Sequence, residues 1–247
     1  MKTTITRTAL ATFVLLLSFA FSSYAQTYYD VYLCDNATAT LHMPEESTLT
    51  NGDKVRWYKD GVEVAGSPFT FSGANSTNYT VPNSLAVGLH SYTTTIETQG
   101  GCVGDPSDPF KVYKLPTKTL ALTKTNATYC GANSGPLSGS EITATTTPGA
   151  SLPDGIGYAY TWTVTSAGNP ATPGTADGSN TNTSVYTMNT TTAGTYVFNA
   201  KVKYVKLAAN TGVFIAGDNN GCEVTATATQ TVIVTPKPGK PSISLVQ

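Results

Sequence analysis

Four cysteines, Cys34, Cys102, Cys130 and Cys222, are the side chains of this sequence best suited to covalent chemistry. No C-x-x-C pair occurs among them, and no His or Asn constellation surrounds any of the four, so neither a metal site nor a thiol nucleophile is expected. His42 and His90 stand far apart on separate predicted strands, and no Ser, Asp or Glu spacing makes either a general base; both are read as structural. The motifs G-x-S-x-G and H-E-x-x-H and any Gly-rich phosphate loop are absent. Asp218-Asn219-Asn220-Gly221-Cys222-Glu223 gathers oxygen ligands but lacks the alternating carboxylates of a calcium loop, and a tight turn is the better reading. The sequence therefore predicts no enzyme, no catalytic residue, no metal and no cofactor.

The bulk composition points the same way. Of 247 residues only 12% are charged, and the formal net charge is −1, too little field to hold a polyanion; nucleic acid is not an expected partner. Thr fills roughly one position in six, a bias of half-buried strands rather than helices. Residues 1–25 read as a signal peptide: Lys2 and Arg7 precede an apolar run of about 13 residues, short of the roughly 20 that span a bilayer, and Ser23-Tyr24-Ala25 forms a small-x-small cleavage site. Cleavage there leaves 12 basic against 15 acidic residues, a net charge of −3, and no later stretch apolar enough to insert in a membrane. An exported product, extracellular, on the cell surface or periplasmic, is expected.

Past the signal, four landmarks recur in one order. Cys34, Trp57, Gly88-Leu89-His90-Ser91-Tyr92 and Gly101-Cys102 are answered by Cys130, Trp162, Gly194-Thr195-Tyr196-Val197 and Gly221-Cys222. Between them apolar and polar residues alternate, as in 38–43, 54–59, 90–97, 158–164 and 195–205, the period of strands with one wet face. Asp60-Gly61 and Asn220-Gly221 are two-residue hairpin signals. The pattern predicts an all-β chain of two tandem immunoglobulin-like antiparallel β-sandwich domains, 26–115 and 116–236, each of about seven strands. Leu115-Pro116-Thr117-Lys118 reads as a semi-rigid spacer, as does the Pro-rich stretch opening 237–247, beyond which Ser242-Ile243-Ser244-Leu245 resembles Thr119-Leu120-Ala121-Leu122 and marks either a tail or the start of a further module. In an oxidising compartment four cysteines allow three pairings; because each repeat holds two at matching landmarks, Cys34 with Cys102 and Cys130 with Cys222 are expected.

These residues resemble the immunoglobulin-like and PKD-like repeats of secreted and surface proteins of Bacteroidota over nearly the whole mature chain. The marks are the early Cys34 and Cys130, the tryptophans Trp57 and Trp162, Tyr196 opening a late strand, and the Gly-Cys pairs before the last strand. The resemblance implies that Trp57, Trp162 and Tyr196 are structural core. It also implies that any bridge lies toward one end of a sandwich, since Cys102 and Cys222 do not follow a tyrosine by two, and that His90 takes the place of the corner tyrosine in the first repeat.

The repeats differ most between late glycine and second cysteine: 14 residues from Gly88 to Cys102 but 28 from Gly194 to Cys222. The extra portion carries Val213, Phe214 and Ile215, a contact loop for a partner if it is exposed, or else a strand continuing its own core. The expected function is thus a non-enzymatic secreted or surface-associated protein for adhesion, matrix assembly or spacing, meeting a protein or glycan surface. The alternative is a carbohydrate-binding accessory protein using exposed tyrosines, with Tyr28, Tyr29, Tyr58, Tyr158 and Tyr204 as candidates.

Overall fold

The computed structural model describes residues 28–34, 36–131, 139–147, 152–217 and 222–245. The signal segment, the 218–221 part of the oxygen-rich turn and the Asn220-Gly221 hairpin signal lie outside these residues. The first half runs β1 (Val31–Leu33), β2 (Ala39–Leu41), β3 (Lys54–Lys59), β4 (Val62–Glu63), β5 (Phe69–Thr70), β6 (Tyr79–Val81), β7 (Gly88–Glu97) and β8 (Phe110–Lys114). The second runs β9 (Thr119–Lys124), β10 (Thr128–Cys130), β11 (Ser140–Thr147), β12 (Ile156–Ser166), β13 (Asn169–Pro170), β14 (Gly174–Ala176), β15 (Thr183–Met188), β16 (Gly194–Lys206), β17 (Val213–Ile215), β18 (Val224–Thr225) and β19 (Gln230–Thr235). A single 3-10 turn, Pro44–Thr48, is the only helical element among the described residues.

Two tandem β-sandwiches result. In the first, the sheet β17-β1-β8-β7-β3-β4, with β5 also on β3, packs across the two-stranded sheet β2-β6. In the second, β10-β19-β16-β12-β13, with β18 on β16, covers β14-β15-β11-β9. Alternation places the faces: β16 buries every second residue from Tyr196 to Tyr204. Pairing is antiparallel except that β1 lies parallel to both β8 and β17, and β10 parallel to β19. Asp60 and Gly61 take φ of 51° and 80° and close the β3–β4 hairpin, the positive-φ pair a type I′ turn requires.

The core does not divide where the sequence repeat does. One buried cluster joins Tyr32, Leu33, Val55, Trp57 and Tyr92 of the first sandwich to Leu120, Tyr158, Val202 and Tyr204 of the second, while a separate cluster around Ile142, Met188, Phe198 and Val232 fills the far end. Leu115-Pro116-Thr117-Lys118 is accordingly not a spacer. Leu115 and Lys118 are buried, the Leu115 N–H donates to the Leu33 carbonyl, and the Tyr204 hydroxyl donates to the Pro116 carbonyl at 3.0 Å.

The cause is β17. The long β16 overshoots its own sandwich, and after the turn at Leu207–Asn210 the chain lays Val213, Phe214 and Ile215 beside Val31, Tyr32 and Leu33 of β1. Val213 N–H donates to the Asp30 carbonyl at 2.8 Å and Cys34 N–H to the Ile215 carbonyl at 3.2 Å. Gly212 admits this approach, since a Cβ there would stand 2.1 Å from the Tyr29 carbonyl oxygen. Backbone cannot yield as a flexible side chain can, so Gly212→Ala is expected to lower stability by about 1–3 kcal/mol. Gly100→Ala, whose nearest atom would lie at 3.8 Å, serves as the neutral control. Denaturant titration checks both, and an unchanged midpoint in G212A would show that β17 is not held on β1.

Candidate functional site

Two features concentrate function-bearing geometry: the junction that β17 makes, and a groove in the first sandwich.

At the junction the structure corrects the expected cysteine pairing. Cys34 is bonded to Cys222, 188 residues later, and Cys102 and Cys130 are free. Strand register explains why. Leu33 is level with Lys114 and so with Gly88, whereas Cys102 sits beside Thr98 past the other end of β7; ten strand residues put roughly 30 Å between Cys34 and Cys102. Cys130 is level with Thr235 near the Gly194 end of β16, and Cys222 precedes β18, which pairs at Val202, about 26 Å up the same strand. A disulfide needs Cα atoms within about 7 Å. Cys34 and Cys222 meet that, at 5.6 Å, because β17 delivers the chain to the end of β1.

Around the bridge both sandwiches contribute. The buried Lys118 ammonium donates to the Cys222 carbonyl and stands 4.0 Å from the centroid of the Tyr204 ring. The Tyr32 hydroxyl accepts from Tyr29 N–H at 3.0 Å and donates to the Asp154 carbonyl at 3.4 Å. Asn210 donates to the Gly155 carbonyl and accepts from Gly212 N–H, which holds the turn into β17. Val213, Phe214 and Ile215 are therefore not a loop awaiting an outside partner: Phe214 and Ile215 pack against the shared core, and Val213 alone stays 57% exposed.

Of the five candidate tyrosines two are withdrawn from the surface, while Tyr28, Tyr29 and Tyr58 are half-buried. Tyr158 and Tyr204 are buried and stacked on one another at 5.3 Å, while Tyr29 is stacked on Tyr113 at 5.2 Å beside the junction. Burial pushes the hydroxyls of Tyr158 and Tyr113 above the ordinary tyrosine range, and that of Tyr160 up to about 12.

The tryptophans differ. Trp57 is buried and donates its indole N–H to the Thr77 carbonyl at 2.7 Å. Trp162 is half-buried against Tyr186, and its N–H donates to Ser184 Oγ, which donates in turn to the Asp177 carboxylate. Tyr196 is buried and donates its hydroxyl to the Thr192 carbonyl four residues upstream; His90, at the matching place on β7, directs Nε2 to the Ala86 carbonyl, also four upstream, at 2.9 Å. His42, half-exposed, lies 3.1 Å from Asn78 Oδ1. Among the described residues no three His, Cys, Asp or Glu side chains group as metal ligands, and no helix is long and apolar enough to cross a membrane.

The groove encloses about 650 Å³ between β2 and the β1-β8-β7 face, lined by Leu41, Met43, Tyr92, Ile96, Phe110 and Ile215, with Asp105 and Asp108 at its rim. Tyr92, fully buried, keeps a hydroxyl without a hydrogen-bond partner among the described residues. Sequence reasoning missed this groove because no motif marks it; the only signal was the shortness of the apolar alternation around β2.

The fold and junction thus define a tandem immunoglobulin-like protein whose two sandwiches share a core. No protein-family model matches the chain, and none of the curated proteins matches it significantly. Similar solved structures are the fibronectin(III)-like modules of Clostridium thermocellum CbhA (13% identity, 89% of this chain and 98% of that one, TM-score 0.38). Murine CEACAM1b (13%, 83% and 96%, 0.34) and the FN1–FN3 domains of chicken CNTN1 (12%, 84% and 63%, 0.38) are others. At these scores the likeness carries no argument about function.

Two measurements check the site. Alkylation of native protein followed by peptide mapping should find one bridge, Cys34 to Cys222, with Cys102 modified without denaturant and half-buried Cys130 more slowly; peptides linked 34 to 102 would refute the register given above. The second is acid stability. On the outer face of the first sandwich Glu97 accepts from Arg56 at 2.7 Å and Lys54 at 3.1 Å, which hold its carboxyl below the ordinary 4.5. Asp60 is lowered too: burial pushes it up, but hydrogen bonds from the Ser91 N–H and His90 outweigh that. Groups so lowered bind fewer protons folded than unfolded, so they stabilise above the ordinary carboxylate range and that stability is lost as pH falls through the lowered values. The melting temperature should be flat near neutrality and fall below about pH 4, with a shallower fall in Glu97→Gln. Equal acid slopes in the two proteins would remove Glu97 from the account.

Proposed function

We propose that this chain is a non-enzymatic protein of the extracellular space or cell surface, serving adhesion or matrix assembly as a stiff structural element that meets a protein surface. The observation that carries the reading is the brace: one strand of the second sandwich completes a sheet of the first, and a disulfide locks it there. Independent domains on a spacer bend against one another by default. A shared core, a shared sheet and a covalent bond remove that freedom, which suits a part that transmits force or holds a fixed spacing. The bridge closes a loop of 188 residues, for which chain entropy assigns up to about 5 kcal/mol in an oxidising compartment. The glycan reading has less support, since Tyr158 and Tyr204, two of its five tyrosines, lie inside the core.

Protease shaving of intact cells, with fractionation, tests location. The protein is expected outside the cytoplasm with Cys34 and Cys222 oxidised, and deletion of its gene should weaken attachment or matrix cohesion. Complementation by Cys34→Ser/Cys222→Ser should restore this only in part. A cytosolic protein with four free thiols would end the proposal.

A further inference from the structure

Among the described residues the smaller sheets of the two sandwiches differ, two strands in the first against four in the second. In the second, β11 has β15 on one edge and β9 on the other, and β9 sends Leu120 and Leu122 into the core. In the first, the matching strand is β2, which follows Cys34 just past β1, as β11 follows Cys130, and precedes the tryptophan strand. It pairs with β6 through Ala39 to Val81 and Leu41 to Tyr79, and among the described residues no strand occupies its other edge. The groove lies under that open edge. By strand order it corresponds to the place of β9, whose Leu120 and Leu122 enter the core, and it is lined by apolar side chains and by Tyr92, whose hydroxyl has no partner among the described residues.

The chain also carries a segment with the alternation of a strand that belongs to no sheet. Ser242-Ile243-Ser244-Leu245 has the alternation of β9, Thr119-Leu120-Ala121-Leu122, yet Ile243 is 100% and Leu245 85% exposed. We propose that the 242–245 segment of one copy adds to the open edge of β2 in a second copy, antiparallel as β9 is to β11, with Ile243 and Leu245 entering the groove. Lys237 and Lys240 just before it complement Asp105 and Asp108 at the rim.

The chain's own tail cannot serve. It leaves β19 beside Gly194, and the thirteen residues of β16 place that end about 40 Å from the overshoot that carries β17 to the first sandwich. Residues 236–241 span at most about 20 Å. The contact therefore runs head to tail between copies and leaves a free groove and a free tail at the two ends, the arrangement that grows into a filament. This stands apart from the proposed cellular location, since purified protein alone decides it.

Sedimentation velocity of the full chain over a concentration series should show growing species. Ile243→Asp/Leu245→Asp, at exposed positions, should keep the same circular dichroism and melting temperature while weakening association by at least about a hundredfold. A labelled peptide of residues 237–247 should bind that double variant, whose groove is intact, and should lose binding when Phe110→Asp is added at the groove mouth, 39% exposed. A wild-type chain that stays monomeric, an association indifferent to the tail substitutions, or a peptide that does not bind would each overturn the proposal, the second by pointing to another surface and the third to another occupant.

Discussion

The pairing of β17 with β1 is the constraint on which the other features of the molecule depend. Three residues contributed by the second sandwich continue the sheet of the first, and everything near them follows from where that places the chain. The turn needs Gly212 because the Tyr29 carbonyl occupies the space a side chain would take. Cys222 is carried to Cys34 rather than to Cys130. Lys118 can be buried because the Cys222 carbonyl and the Tyr204 ring meet its ammonium, contacts that compensate for the water it loses.

A second consequence concerns cooperativity. Had each sandwich closed its own core with its own disulfide, each would unfold as a unit. Here the apolar cluster runs from Trp57 through Tyr32 to Tyr158 and Val202, so loosening the junction exposes both interiors together. The far cluster around Phe198 and Met188 is the part of the second sandwich that depends least on this joint.

The groove is the counterpart of the brace. The first sandwich gains a strand at the β1 edge of its larger sheet but, among the described residues, has only β2 and β6 in the smaller one, which leaves its interior open beside β2. An open edge above an apolar groove tends to pair with whatever extended segment reaches it.

Local pattern was enough to show how much of this fold is strand. The alternation in 54–59 and 195–205, the Asp60-Gly61 turn and the repeated landmarks report interactions within a few residues, and side chains that alternate in sequence must alternate in space. The corner hydrogen bonds of Tyr196 and His90, four residues back along the chain, are local for the same reason. What the linear order could not convey was partnership across the repeat boundary. Equal landmarks in two copies make an internal disulfide look natural, yet a disulfide obeys distance, and distance here is set by a strand that leaves its own sandwich. Leu115-Pro116-Thr117-Lys118 reads as a spacer because proline opposes regular structure, but its burial comes from Leu33 and Tyr204, far away in sequence. Nor could Tyr158 and Tyr204 be assigned to core or surface by type, since a tyrosine suits either. Only the folded chain decides those contacts, because each depends on which remote segment arrives beside it.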